Sequence, residues 1–305
     1  MEKFEVHILG CGSALPTMRH FPTSQVVNLR DKLFMIDCAE GTQLQYRKAG
    51  LSFSRLGSIF ISHLHGDHCF GLVGLISTFG LLGRIAPLHI YSPCDDLERL
   101  LRPQLDYFCR DMPFPVVFHG FSPHVPEVVY DDRTVSISTL PLKHRVPCCG
   151  FLFSEKPKQP HIRRDMIDFL HIPLHAIGRI KAGEGWTDAD GRFWHHDQLT
   201  FPPEPPRRYA YCSDTMPVEA NLPLLQGVDV MFHEATFASD ALARARQTGH
   251  STARQAAEMA RGAAARRLVI GHFSSRYDDD TLLLREAEEV FPEVVLAHEG
   301  LKIEV

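Results

Sequence analysis

The sequence predicts an α/β fold in which two β-sheets are layered face to face with helices on the outside. Three observations predict it. Short apolar, β-branched runs alternate with stretches of helical periodicity along all 305 residues. The first half is heavy in strands, and the second half alternates strand and helix more regularly. No internal repeat of the solenoid kind interrupts the pattern.

In order, strands are expected at Phe4–Leu9, Val26–Leu29, Leu33–Asp37, Ser58–Ser62, Leu88–Tyr91, Val116–Phe118, Val135–Leu140 and Gly150–Phe153. The C-terminal half adds Tyr209–Ser213, Val228–His233, Leu268–Gly271 and Val294–Ala297. Helical patterns lie between them at Gly41–Lys48, Phe70–Leu82, Leu97–Tyr107, Thr252–Ala264 and Thr281–Val290. One stretch, Glu155 to Arg208, breaks the alternation. It is rich in Pro, Lys, Arg and His and ends in Phe201-Pro-Pro-Glu-Pro-Pro-Arg-Arg208, a cluster that a sheet interior excludes. Its middle, Arg163–Leu170, suits a short helix. The reading is a single domain over 1–305 with an inserted arm at 155–208, which holds both tryptophans, Trp186 and Trp194.

Composition narrows the class. Hydrophobic content of 44% and charged content of 23% are ordinary for a globular chain. The formal net charge of −5 gives no global basic surface, so nucleic-acid binding needs a local one. No apolar stretch is long enough for a membrane span, and no signal peptide is evident. Eight cysteines, none in a C-x-x-C pair, read as reduced thiols of a cytoplasmic protein. Histidine is the unusual count, at 18.

The chemistry concentrates in His63-Leu-His65-Gly-Asp67-His68, immediately after the strand Ser58–Ser62. Imidazole and carboxylate are the donors that zinc prefers. An H-x-H pair on an extended loop turns two rings toward one point, while Asp67 and His68 curve toward a second as a helix begins. Gly66 is expected to permit the turn. Clustered imidazoles at a strand end have little packing reason. Further candidate ligands follow other strands: His144, Asp214 and His272. Taken singly, each reads as a loop residue; taken with the first cluster, they supply what two metals need.

The motif H-L-H-G-D-H after a strand resembles the metallo-β-lactamase superfamily, a four-layer αββα sandwich. His233-Glu-Ala-Thr-Phe237, His250-Ser-Thr252 and Gly271-His-Phe-Ser274 resemble the ribonuclease Z family of tRNA 3′-processing endonucleases. Leu9-Gly-Cys-Gly-Ser-Ala-Leu-Pro-Thr17 and Phe34-Met-Ile-Asp37-Cys-Ala-Glu-Gly41 also fit, so the resemblance spans the chain. It implies two zinc ions per subunit. His63, His65 and His144 hold one; Asp67, His68 and His272 hold the other; Asp214 bridges them. It implies Asp67 as proton acceptor, and removal of the 3′ trailer from precursor tRNA, leaving a 3′-hydroxyl on the tRNA and a 5′-phosphate on the trailer. His250 is the candidate for stabilising the leaving oxygen, oriented by Glu234. The competing reading of His250 is a neighbour of a helix N-cap near Ser251.

Arg19, in the loop Gly10 to Ser24, is expected to approach substrate phosphates. The family usually has Arg-Asn where this chain has Arg19-His20. The resemblance also implies a homodimer and an arm that grips the tRNA body. The arm's tip often carries Gly-Pro in the family; here Leu174-His175 stand in its place. Nine Lys/Arg against eight Asp/Glu make the arm only slightly basic. Its tryptophans read as packing rather than base-stacking residues. Two other functions compete: a zinc phosphodiesterase or arylsulfatase-like hydrolase of small substrates, and a metal-bound nucleic-acid binding protein without turnover. The arm argues against the first, and the complete ligand set with His250 and Glu234 argues against the second.

Overall fold

The computed structural model describes residues 2–94 and 96–305. The chain divides into two compact units, 1–154 with 208–305, and 155–207. Along the chain the strands run β1 (Phe4–Gly10), β2 (Ser24–Leu29), β3 (Lys32–Ile36), β4 (Leu56–Phe60), β5 (Leu88–Pro93), β6 (Val116–Phe121), β7 (Val128–Asp131), β8 (Val135–Pro141) and β9 (Cys149–Glu155). Four two-residue strands of the inserted unit follow: β10 (His161–Ile162), β11 (Trp186–Thr187), β12 (Phe193–Trp194) and β13 (Thr200–Phe201). The larger unit resumes with β14 (Arg208–Cys212), β15 (Val230–Glu234), β16 (Arg267–Gly271), β17 (Val294–Leu296) and β18 (Lys302–Glu304).

The larger unit holds two seven-stranded sheets, ordered β18-β1-β2-β3-β4-β5-β6 and β17-β16-β15-β14-β9-β8-β7. Period-two patterning explains why they stack. Along β1 to β4, Phe4, Val6, Ile8, Val27, Phe34, Ile36 and Phe60 enter one core with Phe151, Phe153, Tyr209, Tyr211 and Phe232 of the second sheet. The alternate residues Val26, Leu33, Met35, Ile59 and Ile61 enter another, against helical residues Leu72, Leu75, Ile76, Phe79, Leu97, Leu101 and Leu105. Those belong to α3 (Leu72–Leu81) and α4 (Asp96–Phe108), which follow α1 (Thr42–Lys48) and α2 (Gly66–Cys69). A sheet buried on both faces needs a layer on each side, and the fold is therefore an αββα sandwich.

Several strand pairs are parallel, β3 with β4, β4 with β5, and β14 with β15 with β16. Their carboxyl ends share an edge, where such sheets collect functional groups.

The inserted unit has its own small core. α5 (Arg164–Phe169) and α6 (Leu174–Lys181) are followed by α7 (His196–Leu199). Ile172, Ala176, Ile180 and Leu199 pack there with Met166, Trp186 and Trp194. Trp194 donates to Asp188 Oδ2 at 2.9 Å, which makes it a packing residue of this unit. Leu174-His175 open α6 directly after its N-cap Pro173.

Candidate metal centre

Each candidate ligand sits just past a strand end. His63 follows β4, Asp214 follows β14, His272 follows β16 and His144 follows β8, while α2 carries Asp67 and His68. Asp214 and His272 have left-handed backbone, with φ of 55° and 61°. Such conformations cost a non-glycine residue about 1–2 kcal/mol and survive only where the surroundings enforce them. Gly66, by contrast, has no positive φ; a Cβ there would meet the Phe70 ring at 2.2 Å, so space rather than backbone freedom favours glycine.

The donor atoms converge on two points. His63 Nε2, His65 Nδ1 and His144 Nε2 face one another, with His63–His65 at 2.9 Å and His144–His65 at 3.4 Å. Asp67 Oδ2 is 3.3 Å from His68 Nε2, and these two cluster with His272. Asp214 lies between the sets, with Oδ2 3.2 Å from His68 Nε2 and Oδ1 3.2 Å from His272 Nε2 and 4.0 Å from His63 Nε2. His68 Nε2 and His272 Nε2 are buried and make no hydrogen bond. They point to a common centre rather than to each other. Donors about 2.0–2.1 Å from a tetrahedral zinc lie about 3.3 Å apart, so these spacings fit the ion.

Behind the donors, the second ring nitrogens are held. His68 Nδ1 meets Asp37 Oδ2 at 2.8 Å, His63 Nδ1 meets Ser62 Oγ at 3.0 Å, His144 Nδ1 meets the Gly249 carbonyl at 3.0 Å and His272 Nδ1 meets Thr236 Oγ1 at 2.9 Å. Fixing Nδ1 leaves Nε2 free for a metal. Asp37 is the hub: fully buried, with φ of 57°, it also accepts from the Ser62 amide (2.8 Å), Ser62 Oγ (2.9 Å) and Tyr211 OH (2.7 Å). The sequence reading included Asp37 in a motif but gave it no role.

Electrostatics match the donor chemistry at Asp214 and His63, whereas at His68 the Asp214 and Asp37 carboxylates outweigh burial and raise the ring well above its ordinary range. Burial opposes ionisation of Asp214, but His272, His68 and His63 around it hold its carboxyl well below the usual range. Burial, reinforced by the neighbouring His68, keeps His63 neutral, the form that coordinates metal.

His250 and Glu234 complete the cleft. His250 Nδ1 meets Glu234 Oε1 at 2.8 Å, and Glu234 also accepts from the Thr215 and Ser251 amides. Burial works against protonation of His250, yet the Glu234 carboxylate outweighs it and pushes the ring up to about 9. Capping is done elsewhere: Thr252 caps α10 (Ala253–Gly262), its side chain accepting from the Gln255 amide. His250 is thus free to face the cleft of about 210 Å³, lined also by His65, Asp67, His144, Asp214, His272, Arg145 and Arg244.

Arg19 is not among the lining residues. Its guanidinium donates to Asp280 Oδ2 at 3.4 Å and to the Tyr277 carbonyl. The neighbouring His20 explains this arrangement. Its Nε2 meets Asp280 Oδ2 at 2.9 Å and its Nδ1 meets Glu299 Oε2 at 3.2 Å, so the loop is strapped to the C-terminal segments.

Residues 4–107 match the family model of anti-Pycsar protein Apyc1, and residues 199–273 match that of the beta-lactamase superfamily domain. The chain is 60% identical to ribonuclease Z of Phocaeicola vulgatus, over 100% of this chain and 98% of that protein. It is 51% identical to ribonuclease Z of Porphyromonas gingivalis over 100% of both. The crystal structure of the short form of human tRNase Z superposes with a TM-score of 0.72 at 26% identity, covering 98% of each chain. With full-length identity at this level and the metal-ligand motifs in place, the chain belongs to the ribonuclease Z family.

Proposed function

We propose that this chain removes the 3′ trailer from tRNA precursors, using two zinc ions per subunit. Hydrolysis of RNA phosphodiesters is the activity of its family, and the chain is an endoribonuclease. The observation that carries the finer reading is the convergence of six donor residues on two points with Asp214 between them, beside the His250–Glu234 pair.

His63, His65 and His144 would hold one ion, and Asp67, His68 and His272 the other, with Asp214 shared. A zinc pair bound there would supply Lewis-acid stabilisation of the charge on the scissile phosphate and on the attacking water. Asp67 accepts the proton of the attacking water. His250, protonated at neutral pH, donates to the ribose 3′-oxygen as the P–O bond breaks. Glu234 accepts from His250 Nδ1–H and holds the ring in place, so the proton given to the leaving oxygen is the one on Nε2. The products are a 3′-hydroxyl on the tRNA and a 5′-phosphate on the trailer.

The family further supports a homodimer working in the cytoplasm, with the 155–207 unit gripping the tRNA body. Among the described residues, no helix is long and apolar enough to cross a membrane. The test is incubation of the zinc-loaded protein with a trailer-carrying tRNA precursor and, separately, with a small aryl phosphodiester. The proposal expects cleavage of the precursor. Turnover of the aryl ester alone would favour a small-substrate phosphodiesterase instead.

A further inference from the structure

Two arginines in the metal cleft are left unused by the mechanism above. Arg145 directly follows His144, and Arg244 lies on α9 (Leu242–Thr248), after the short α8 (Leu222–Leu225). Both line the cleft that holds His250 and Asp214. Arg145 makes no hydrogen bond or ion pair among the described residues, and Arg244 bonds only the neutral Gln247, at 2.9 Å. Arg276 on the same cleft differs, since its guanidinium lies over the Phe237 ring at 5.2 Å.

Both lie on the His250 side. Arg145 runs along Gly249, where an added Cβ would sit 3.6 Å from Arg145 Cγ. The His250 amide donates to the Ala245 carbonyl at 2.9 Å, one residue from Arg244. The charge of Arg145 is felt by His250 and by His65. A solvated surface arginine needs no partner, which is the ordinary explanation of either residue alone. Two unpaired guanidinium groups in one small cleft are different. They come from segments about a hundred residues apart in a chain of net charge −5. An anion entering this cleft meets both side chains, and planar guanidinium forks match phosphate oxygens.

We infer that Arg145 and Arg244 form a subsite for the backbone phosphate on the 5′ side of the nucleotide whose 3′-oxygen leaves. This rests on the tRNA-processing reading. It follows from that reading because His250 faces the leaving 3′-oxygen, so the RNA beyond His250 is the tRNA end and not the trailer. Phosphate contacts of this kind set register without reading sequence.

The experiment uses the zinc-loaded full chain, its R145A/R244A variant, and a synthetic acceptor-stem hairpin carrying a 3′ trailer. The hairpin is made with ordinary linkages, or with one neutral methylphosphonate at the linkage 5′ to the terminal tRNA nucleotide. Binding is read by fluorescence anisotropy and cleavage by gel. Wild-type protein is expected to bind the neutralised hairpin about tenfold more weakly. The variant is expected to show that loss on the ordinary hairpin and no further loss on the neutralised one. Its salt slope of log K should flatten by about one, the value for one phosphate contact. Its cleavage of the hairpin should fall well beyond any change in its aryl phosphodiester turnover. A variant that binds the ordinary hairpin like wild type, or that still loses tenfold on the neutralised one, overturns the inference. If wild-type protein turns over only the aryl ester, the tRNA reading falls and the inference with it.

Discussion

Replacing Asp37 by Asn tests whether the buried carboxylate sets the metal affinity of a residue it never shares a metal with. Asp37 accepts four hydrogen bonds, from the Ser62 amide, Ser62 Oγ, Tyr211 OH and His68 Nδ1. An amide keeps one acceptor oxygen and turns the other position into a donor. The hydroxyls of Ser62 and Tyr211 can rotate to suit, but the ring N–H of His68 cannot. His68 is then driven to the other tautomer, with its proton on Nε2, the atom that points to the metal position beside Asp214. Changes to such supporting groups weaken metal binding by about 10–100-fold. Loss of a charge-assisted hydrogen bond also lowers stability by about 1.5–3 kcal/mol. The assay is competition for zinc against a chromophoric chelator, with urea unfolding of the metal-free protein run alongside. D37N that binds both zinc ions as tightly as wild type would refute the reasoning. Tyr211→Phe, which removes one donor and leaves the charge, should change affinity far less.

Other predictions follow from the same geometry. His250→Ala should lower kcat about 10²–10⁴-fold with zinc content intact, measured by precursor cleavage and metal analysis; full turnover would remove His250 from the reaction. His250 is raised to about 9, so the acid it supplies is present below that pH and activity falls as pH rises through it. Glu234→Gln should move that limb of the pH–rate profile downward, and an unmoved limb would assign it to another group. His20 is raised to about 12, mainly by its bond to Asp280, against an ordinary value of 6.5. Its contribution to stability is full below 6.5 and fades as pH rises toward 12. His20→Ala should therefore cost about 2–3 kcal/mol in urea unfolding at pH 6 and less at pH 10. Removing zinc by chelation should abolish cleavage and lower the melting temperature, and adding zinc back should restore both.

Much of the fold was legible because both large sheets bury two faces or one strongly apolar face. Runs such as Val26–Leu29 and Leu268–Gly271 leave little else they can be. Elements with weak apolar signals were not. β18 buries only Ile303, β7 buries none of its residues, and α9 buries only Ala245. α6 starts at Leu174 behind Pro173, a position the sequence marked as an arm tip rather than a helix start. The candidate ligands stood out in the sequence because His63, His144, Asp214 and His272 follow apolar strands within three residues and Asp67 and His68 open the helix after the first of them. What holds them did not. Asp37 follows β3 in the same way, yet its role depends on which of several imidazoles reaches it across the sheet end. Arg19 illustrates another kind of partner hidden from the sequence: a basic residue in an entry loop reads as a phosphate ligand, and the structure pairs its guanidinium with Asp280 and the Tyr277 carbonyl. No local pattern distinguishes these outcomes, because the imidazole partner of Asp37 is 31 residues away and the partners of Arg19 are 258 and 261 residues away.

The proposed reaction is attack of water at phosphorus with cleavage of the P–O3′ bond at the end of the tRNA, in a cleft lined by Asp67, Asp214 and His250. Cleavage of a trailer-carrying precursor in ¹⁸O-labelled water tests it most directly. Attack of water at phosphorus places one ¹⁸O atom in the 5′-phosphate of the released trailer and leaves an unlabelled 3′-hydroxyl on the tRNA. A 3′-phosphate or 2′,3′-cyclic phosphate on the tRNA, with a 5′-hydroxyl on the trailer, would contradict it.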